Sequence, residues 1–342
     1  MTRWTRSQIQ TPIRPSMMQL PLRTATCIHG SGCDRLATNG VIAQSIFNAT
    51  ARYFSDDNPN QTVSPNPRLT AYDNLIDAAG RQRDFAAVCH LLTKRMKDGK
   101  FNTTRTFKFL STDVEVLPEL LQNLASLDDW FTRKHAHDGV VAQLARIFRT
   151  AEALRVAETM VSKNYGATSV TFHPILNALT RRKKVEAGWR VLEVMRVLKV
   201  KPDITALNYI LTAYCCQGDL ASAADVLVKL EEEGLNADAR TYDALVLGAC
   251  KARKLEVALR LIRRMVENGK PAMYSTHGHI IKEMVRSGYF AQAADYVKTF
   301  AGKVRRLDAA NFKFLASCLV KVKRIADADS IVEEMKKRGL PR

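Results

Sequence analysis

Six basic side chains recur at one position of a repeating sequence pattern, and their chemistry suits them to bind phosphate groups. They are Arg81, Arg146, Arg181, Lys251, Arg286 and Lys321, and from Arg146 onward they are separated by 35 residues or a multiple of 35, with Cys216 the exception at this position. Regularly spaced guanidinium and ammonium groups can neutralise a row of phosphates on a polyanion. The alternative interpretation is a solvated helix face, where Lys and Arg are common.

Signatures of catalysis are missing from this sequence. It has no Walker loop, Gly-x-Gly-x-x-Gly turn, His-Glu-x-x-His helix or Gly-x-Ser-x-Gly elbow. The pairs His135/His137 and His277/His279 place imidazoles on different sides of a helix, so we interpret them as packing or groove residues. The seven cysteines lack the spacing of a disulfide framework. We therefore expect no enzymatic activity, metal, cofactor or small-molecule substrate.

Composition bounds the class of protein. The chain has 342 residues, 46% of them hydrophobic, which is enough to bury a proper core. Its formal net charge of +18 and its sequence pI near 9.7 favour an anionic partner. No stretch approaches the roughly 18 to 20 apolar residues that a membrane-spanning helix needs, which argues against an integral membrane protein.

The amino-terminal segment has the composition of an organellar transit peptide. Residues 1–54 contain six arginines, no lysine and one acid, Asp34, among many Ser and Thr. The sequence Arg52-Tyr53-Phe54-Ser55 is similar to a mitochondrial processing site, so we predict import into mitochondria, with the plastid as the alternative. Removing six positive charges and one negative charge still leaves +13. Residues 55–68 are predicted to be a flexible linker rich in Pro, Asn and Asp.

Small residues recur every 35 residues through the rest of the chain, at Ala153, Gly188, Ala223, Ala258, Ala293 and Ala328. We number the positions of each repeat as places 1 to 35, so that Ile204 is place 1, the small residues are at place 20 and the six basic residues at place 13. Apolar residues three and four apart mark one helix face in each half of a repeat. A polar break such as Gln217-Gly218-Asp219 separates the halves. Each repeat is therefore predicted to be a helical hairpin.

One hairpin cannot bury both faces of its helices, so successive hairpins must stack. The predicted fold class is all-α, a right-handed superhelical solenoid of about eight helix-turn-helix repeats. Their predicted bounds are 69–103, 104–133, 134–168, 169–203, 204–238, 239–273, 274–308 and 309–342. The second repeat is five residues short, and Pro118 is expected to start its second helix. In the last repeat, Ile331, Val332 and Met335 are expected on an exposed face.

Residues 202–211 (PDITALNYIL), with Ala223 and Gly234, resemble the pentatricopeptide repeat family in its short P-type form, and residues 241–245 do so as well. The related tetratricopeptide repeat has a period of about 34 residues, Gly at the eighth place and Ala at the twenty-seventh. Here the eighth place holds Leu211 and Val246, so that family does not match. The resemblance implies that the place-13 cations line a concave groove beside single-stranded RNA.

In this family, base recognition is assigned to a pair of side chains at places 5 and 35. The corresponding pairs are Asp73 with Thr103, Asp138 with Thr168, His173 with Asp203, Asn208 with Asp238, Asp243 with Met273, and Gly278 with Asp308. Asn208 with Asp238 is the one standard pair, and the resemblance implies a preference for uridine. The acids Asp73, Asp138 and Asp243 are expected to repel phosphate. A single legible pair does not select a unique RNA site.

The sequence thus predicts an organellar RNA-binding protein without catalytic activity, and two mechanisms stay open. One is an RNA processing or stability factor that shields a single-stranded segment. The other is a ribonucleoprotein scaffold, such as a subunit of the mitochondrial ribosome, which contacts ribosomal RNA and other subunits. A protein-only adaptor that binds a peptide in its groove is the third class.

Overall fold

The computed structural model describes residues 67–301 and 305–341. The predicted transit peptide and residues 55–66 of the predicted linker lie outside these residues. Every regular element in the described part of the chain is helical, and none of these helices is long and apolar enough to cross a bilayer. The described residues divide into two compact units, which we call the N-unit, residues 67–167, and the C-unit, residues 168–341.

The N-unit contains helices and one short 3-10 turn. The elements are α1 (Pro67–Arg81), α2 (Phe85–Lys97), the 3-10 turn (Lys108–Ser111), α3 (Leu117–Ala125), α4 (Trp130–Arg146) and α5 (Thr150–Ser162). Helices α1 and α2 pack as one hairpin, and α4 and α5 as another.

Between these hairpins, the short repeat at residues 104–133 has lost its first helix. The 3-10 turn takes its place, and Pro118 lies in the first turn of α3, as the sequence predicted. The buried rings of Phe107 and Phe109 lie so close to Gly139 and Gly80 that neither glycine could carry a side chain without a shift. The two rings therefore occupy the space that a regular helix would fill.

The C-unit consists of consecutive hairpins whose helices follow the predicted 35-residue period. The helices are α6 (Ser169–Arg181), α7 (Val185–Val197), α8 (Ile204–Gln217), α9 (Leu220–Glu232), α10 (Ala239–Lys251), α11 (Leu255–Glu267), α12 (Tyr274–Arg286), α13 (Phe290–Phe300), α14 (Arg305–Lys321) and α15 (Ile325–Lys337). We call α6, α8, α10, α12 and α14 the first helices and the others the second helices. The prediction of an all-α helical-repeat solenoid is confirmed.

Stacking in the C-unit is carried mainly by the first helices. Each first helix packs on the first helix of the neighbouring hairpin, and each of α7, α9, α11 and α13 packs on the first helix that follows it. The small residues at place 20 allow this approach: all are buried, and a Cβ on Gly188 would lie only 2.7 Å from Ile210 Cδ1. The repeated apolar stripes are thus the core of the unit.

The expectation for the last repeat was wrong. Ile331 and Met335 are only 3% and 4% exposed, because α15 packs along α14 and encloses that face. Val332 is half-buried. The large apolar side chain that α15 does expose is Ile325, at its first residue.

Gly248 in α10 lies at a close approach between α8 and α10. A Cβ at this position would lie 2.9 Å from Cys215 Sγ and 3.2 Å from Cys215 Cα in α8. We expect Gly248→Ala to lower the free energy of unfolding by about 1–3 kcal/mol, since inserting a methyl group into a packed contact forces a backbone shift. The measurement is urea denaturation.

Gly278→Ala in α12 is the matched control, because its Cβ would meet Phe314 at an ordinary 3.7 Å. It replaces glycine in a helix interior without a clash, so we expect it to be neutral or to stabilise by up to about 1 kcal/mol. Equal destabilisation by both substitutions would contradict the close approach at Gly248.

Candidate nucleic-acid interface

The six cations at place 13 lie at the carboxyl ends of α1, α4, α6, α10, α12 and α14, and all six are exposed. Arg81 and Arg146 belong to the N-unit, and Arg181, Lys251, Arg286 and Lys321 to the C-unit. A cation at a helix carboxyl terminus is favoured by the helix dipole, which gives place 13 a local reason to be basic. We call the four C-unit residues the cation column.

The members of the cation column differ in their partners. Lys251 and Lys321 form no ion pair with any described residue. Arg286, by contrast, forms an ion pair with the buried carboxylate of Glu283 and donates a hydrogen bond to the carbonyl oxygen of Cys250 at 3.0 Å. Arg286 therefore holds two neighbouring hairpins together, while Lys251 and Lys321 have no such structural task.

Two of the three aspartates predicted at place 35 are the N-caps of first helices, whereas Asp308 lies within the first turn of α14. Asp203 accepts from the backbone N–H of Ala206 at 2.9 Å, and Asp238 accepts from that of Thr241 at 2.8 Å. These bonds satisfy backbone donors that a helix amino terminus leaves without partners. Acidic residues at place 35 thus have a structural role as well as the predicted role toward RNA.

Asn208 and Asp238, the one standard pair, are brought into direct contact. Asn208 Nδ2 donates to Asp238 Oδ1 at 3.0 Å, and Asn208 Oδ1 accepts from the hydroxyl of Thr241 at 2.9 Å. Both ends of the buried Asn208 amide are therefore used inside the protein. The other carboxylate oxygen, Asp238 Oδ2, accepts no hydrogen bond from a described residue. A base N–H could bond to this oxygen.

His173 and Asp203 form a second connected pair. His173 Nε2 lies 2.8 Å from Asp203 Oδ1. Burial would by itself raise the pKa of Asp203, but the bonds from His173, Ala206 and Ser169 outweigh it and hold this pKa below its ordinary value. Asp203 is thus held as an ionised carboxylate that contacts the imidazole of His173.

The remaining C-unit pairs have no comparable geometry. Asp243 Oδ1 accepts from the hydroxyls of Ser275 and Thr276 at 3.0 and 2.6 Å, while Met273 offers no polar group. Gly278 has no side chain, and its predicted partner Asp308 is only 5% exposed. In these two pairs, the polar groups that RNA could contact are the carboxylate of Asp243, which already accepts two hydrogen bonds, and the buried carboxylate of Asp308.

The two acids at place 5 of the N-unit, Asp73 and Asp138, are each paired with a basic side chain of the protein. The carboxylate of Asp73 forms a buried ion pair with Arg95 at 2.7 Å and accepts from the hydroxyls of Thr103 and Thr106. Asp138 is paired with Lys134 at 2.5 Å. The expectation that Asp73 repels phosphate in a groove was wrong, because its charge is buried and compensated.

The threonines at place 3 take part in these contacts, although the sequence pattern did not predict it. Thr106, Thr241 and Thr276 each bond to the place-5 side chain of the preceding repeat, at 2.9, 2.9 and 2.6 Å. All three are buried. The recurrence of threonine at place 3 could have indicated these contacts. A threonine near the start of a helix is, however, most simply explained as a capping residue.

The histidines and cysteines noted in the sequence take packing positions. Burial lowers the pKa of His277 to about 4, and its Nδ1 lies 2.8 Å from the hydroxyl of Tyr296. His137 is buried against Tyr165. Burial also raises the pKa of the Cys215 and Cys250 thiols, in line with their interpretation as core residues.

Stacked two-helix hairpins with a 35-residue period, small residues at place 20 and cations at place 13 of most repeats define a helical-hairpin repeat protein. A family model described as a pentatricopeptide repeat-containing protein matches residues 128–227, and one described as the PPR repeat matches residues 240–269 and 312–340. A mitochondrial pentatricopeptide repeat-containing protein of Arabidopsis thaliana is 45% identical over 298 residues, which is 85% of each chain. The chain belongs to the pentatricopeptide repeat family, and the predicted mitochondrial location is confirmed.

Two more distant similarities involve RNA or a ribonucleoprotein. The small ribosomal subunit protein mL103 (rPPR7) of Arabidopsis thaliana is 22% identical over 186 residues, covering 44% of this chain and 45% of its own. The structure of the pentatricopeptide repeat protein PPR10 in complex with an 18-nucleotide psaJ RNA element has 18% identity and a TM-score of 0.43. That match covers 88% of this chain and 42% of the PPR10 chain.

Proposed function

We propose that the protein is a non-catalytic RNA-binding scaffold of a mitochondrial ribonucleoprotein. The observation that carries this proposal is the cation column: exposed Arg or Lys side chains at one place of first helices that stack on each other. Packed neighbouring helices are about 8–10 Å apart, so the column's cations follow one another at one helix step, or at two steps between Arg181 and Lys251, where α8 has Cys216 at place 13. Arg and Lys at such intervals bind phosphates regardless of sequence.

The places 5 and 35 support a scaffold over a sequence-specific factor. The amide of Asn208 is engaged at both ends, and the carboxylates of Asp203 and Asp238 cap helices. A base could therefore bond to only one free carboxylate oxygen in such a repeat. To favour one base over another by about 1–3 kcal/mol, a site needs two well-formed hydrogen bonds to that base. The relative mL103 is named as a ribosomal protein, so the mitochondrial ribosome is the first particle to examine.

The experiment is sedimentation of the tagged full-length protein from mitochondrial extract on a sucrose gradient, with and without RNase. Comigration with ribosomal particles that RNase abolishes is the expected result. Light fractions that crosslink to a defined transcript would instead establish the RNA processing or stability factor. RNase-insensitive complexes without RNA crosslinks would show a protein-only adaptor and overturn the proposal.

A further inference from the structure

Two aromatic rings lie next to each other on α12 and α14, beside a place-5 residue that has no side chain. The ring centroids of Tyr274 and Phe314 are 6.2 Å apart, and the rings meet edge to face at 77°. Tyr274 is 42% exposed, and Phe314 is half-buried. Gly278 lies one helical turn after Tyr274 on the same helix, so the two share a face of α12. We call Tyr274, Gly278 and Phe314 the aromatic site.

In two other repeats of the C-unit, the side chain at place 5 contacts the side chain at place 6 of the next repeat. The ring of His173 lies 5.9 Å from the ring of Tyr209, measured between centroids. Asp243 Oδ1 lies 3.9 Å from His279 Nε2. A place-5 side chain can therefore cover the place-6 residue of the neighbouring first helix.

At the aromatic site, the residues at these two places are Gly278 and Phe314. A Cβ on Gly278 would lie 3.7 Å from Phe314 Cε1 and 4.0 Å from Cζ, which is ordinary van der Waals contact. No clash therefore requires glycine here, although glycine in a helix interior is less favourable than alanine. The effect of this glycine is to leave the Phe314 ring without a covering side chain from place 5.

Exposed lysines lie near the aromatic site. Lys282 is on α12, and Lys313 and Lys321 are on α14. Burial raises the pKa of the Cys318 thiol, while Lys321 and Lys282 lower it, so both ammonium groups lie near this thiol. Burial and the neighbouring Cys318 together raise the pKa of Tyr274, which places the same thiol near the aromatic site. None of the three lysines forms an ion pair with a described residue.

The acidic side chains of the same two helices are buried. Glu283 in α12 is 3% exposed and paired with Arg286, and Asp308 in α14 is 5% exposed. These are the only acids in the two helices. The charges that α12 and α14 expose around the aromatic rings are therefore positive.

Aromatic rings flanked by cations are the composition of a binding site for single-stranded nucleic acid. Every base has a π-face that can stack on an aromatic ring, and the cations bind the phosphates on either side. An apolar protein segment would also cover the rings, but it would leave the surrounding positive charge without a partner. The charge thus favours a nucleotide over a protein segment as the occupant.

We propose that an unpaired RNA base stacks on the rings of Tyr274 and Phe314, with Lys282 and Lys321 at the flanking phosphates. This inference rests on the proposed RNA binding and adds how one repeat without a legible pair at places 5 and 35 holds its nucleotide. The contact is by stacking, so it holds any base.

The test uses the full-length double variant Tyr274→Leu and Phe314→Leu with two probes, labelled oligouridine and an abasic phosphodiester oligomer of the same length. Leucine stays apolar but has no aromatic face. We expect the affinity for oligouridine to fall roughly 5- to 150-fold. Its log-log salt dependence should stay unchanged, because no phosphate contact is removed. The affinity for the abasic oligomer should not change.

Two single variants separate stacking from loss of packing. Gly278→Leu keeps both rings and adds a side chain that covers Phe314, so it should weaken oligouridine binding without lowering the Tm. Tyr274→Phe keeps the ring and should bind oligouridine as the wild type does. The matched control is Tyr289→Leu, because Tyr289 is equally exposed at 43% but lies beyond the other end of α12, about 20 Å along the helix. It should change neither affinity.

Unchanged oligouridine affinity in the double variant, or an equal loss of affinity for both oligomers, overturns the inference alone. So does a double variant that binds oligouridine normally and no longer sediments with ribonucleoprotein particles, since the rings would then contact a protein. Wild-type protein that binds neither oligomer overturns the proposed function.

Discussion

Simultaneous replacement of Arg181, Lys251 and Lys321 by glutamate is expected to weaken the binding of single-stranded RNA strongly. Each residue is exposed at the same place of a first helix, and reversal would replace the proposed attraction to phosphate by repulsion. We expect an affinity loss of roughly 100-fold at physiological salt and a log-log salt slope shallower by about 2 units. The measurement is fluorescence anisotropy of labelled oligouridine over a KCl series.

Arg286 is left out of this variant, although it occupies the same place. Its guanidinium compensates the buried carboxylate of Glu283, so its reversal would destabilise the fold and confound the result. The matched control is Arg190→Glu, Arg260→Glu and Lys298→Glu, which makes the same charge change at exposed positions of second helices. If both triple variants lose affinity equally, net charge and not the cation column drives binding.

The helical scaffold was predictable because it depends on periodic signals. A 3,4 apolar spacing within 35-residue repeats fixes two helices per repeat, and the small residue at place 20 fixes how they approach. These signals recur in every hairpin of the C-unit, so the exposure of a single apolar residue of α15, Ile325, does not obscure them. The short second repeat has no such redundancy, and its 3-10 turn depends on where Phe107 and Phe109 pack.

The contacts around places 5 and 35 were harder to predict, since they depend on which polar groups satisfy each other. Asn208 matches the family pattern in sequence, yet its amide is held by Asp238 and Thr241. The place of Asn208 in its repeat determines which face of the helix it occupies. Whether its amide is free to bond to RNA depends instead on Asp238 and Thr241, which are 30 and 33 positions away in the sequence. Sequence spacing alone does not show that competition.

Asp73 shows the same limit most clearly. At place 27 the other assigned repeats have Met, Leu or Phe, but the first repeat has Arg95, which is 0% exposed. The charge at a core position is explained by Asp73, whose carboxylate it contacts at 2.7 Å. The break in the apolar stripe and the acid at place 5 are two halves of one buried ion pair. In the sequence, Asp73 and Arg95 are 22 positions apart, and nothing in their spacing indicates that they pair.

Arg95→Ala is therefore expected to destabilise the N-unit strongly. The substitution leaves the Asp73 carboxylate buried without its cation, and removal of one partner of a buried pair costs about 3–5 kcal/mol. It also removes the guanidinium that lies 5.9 Å from the ring of Tyr72. Urea denaturation, followed by circular dichroism, should show this loss in the free energy of unfolding.

Two further variants separate the buried charge from simple loss of packing. Arg83→Ala removes an exposed ion pair with Asp113 of similar length, 2.9 Å, and should cost no more than about 1 kcal/mol. Arg95→Leu combined with Asp73→Asn removes both charges while the amide can still bond to Thr103 and Thr106, so it should recover much of the stability that Arg95→Ala loses. If the double variant is as unstable as Arg95→Ala, the shape of the arginine and not its charge supports this core.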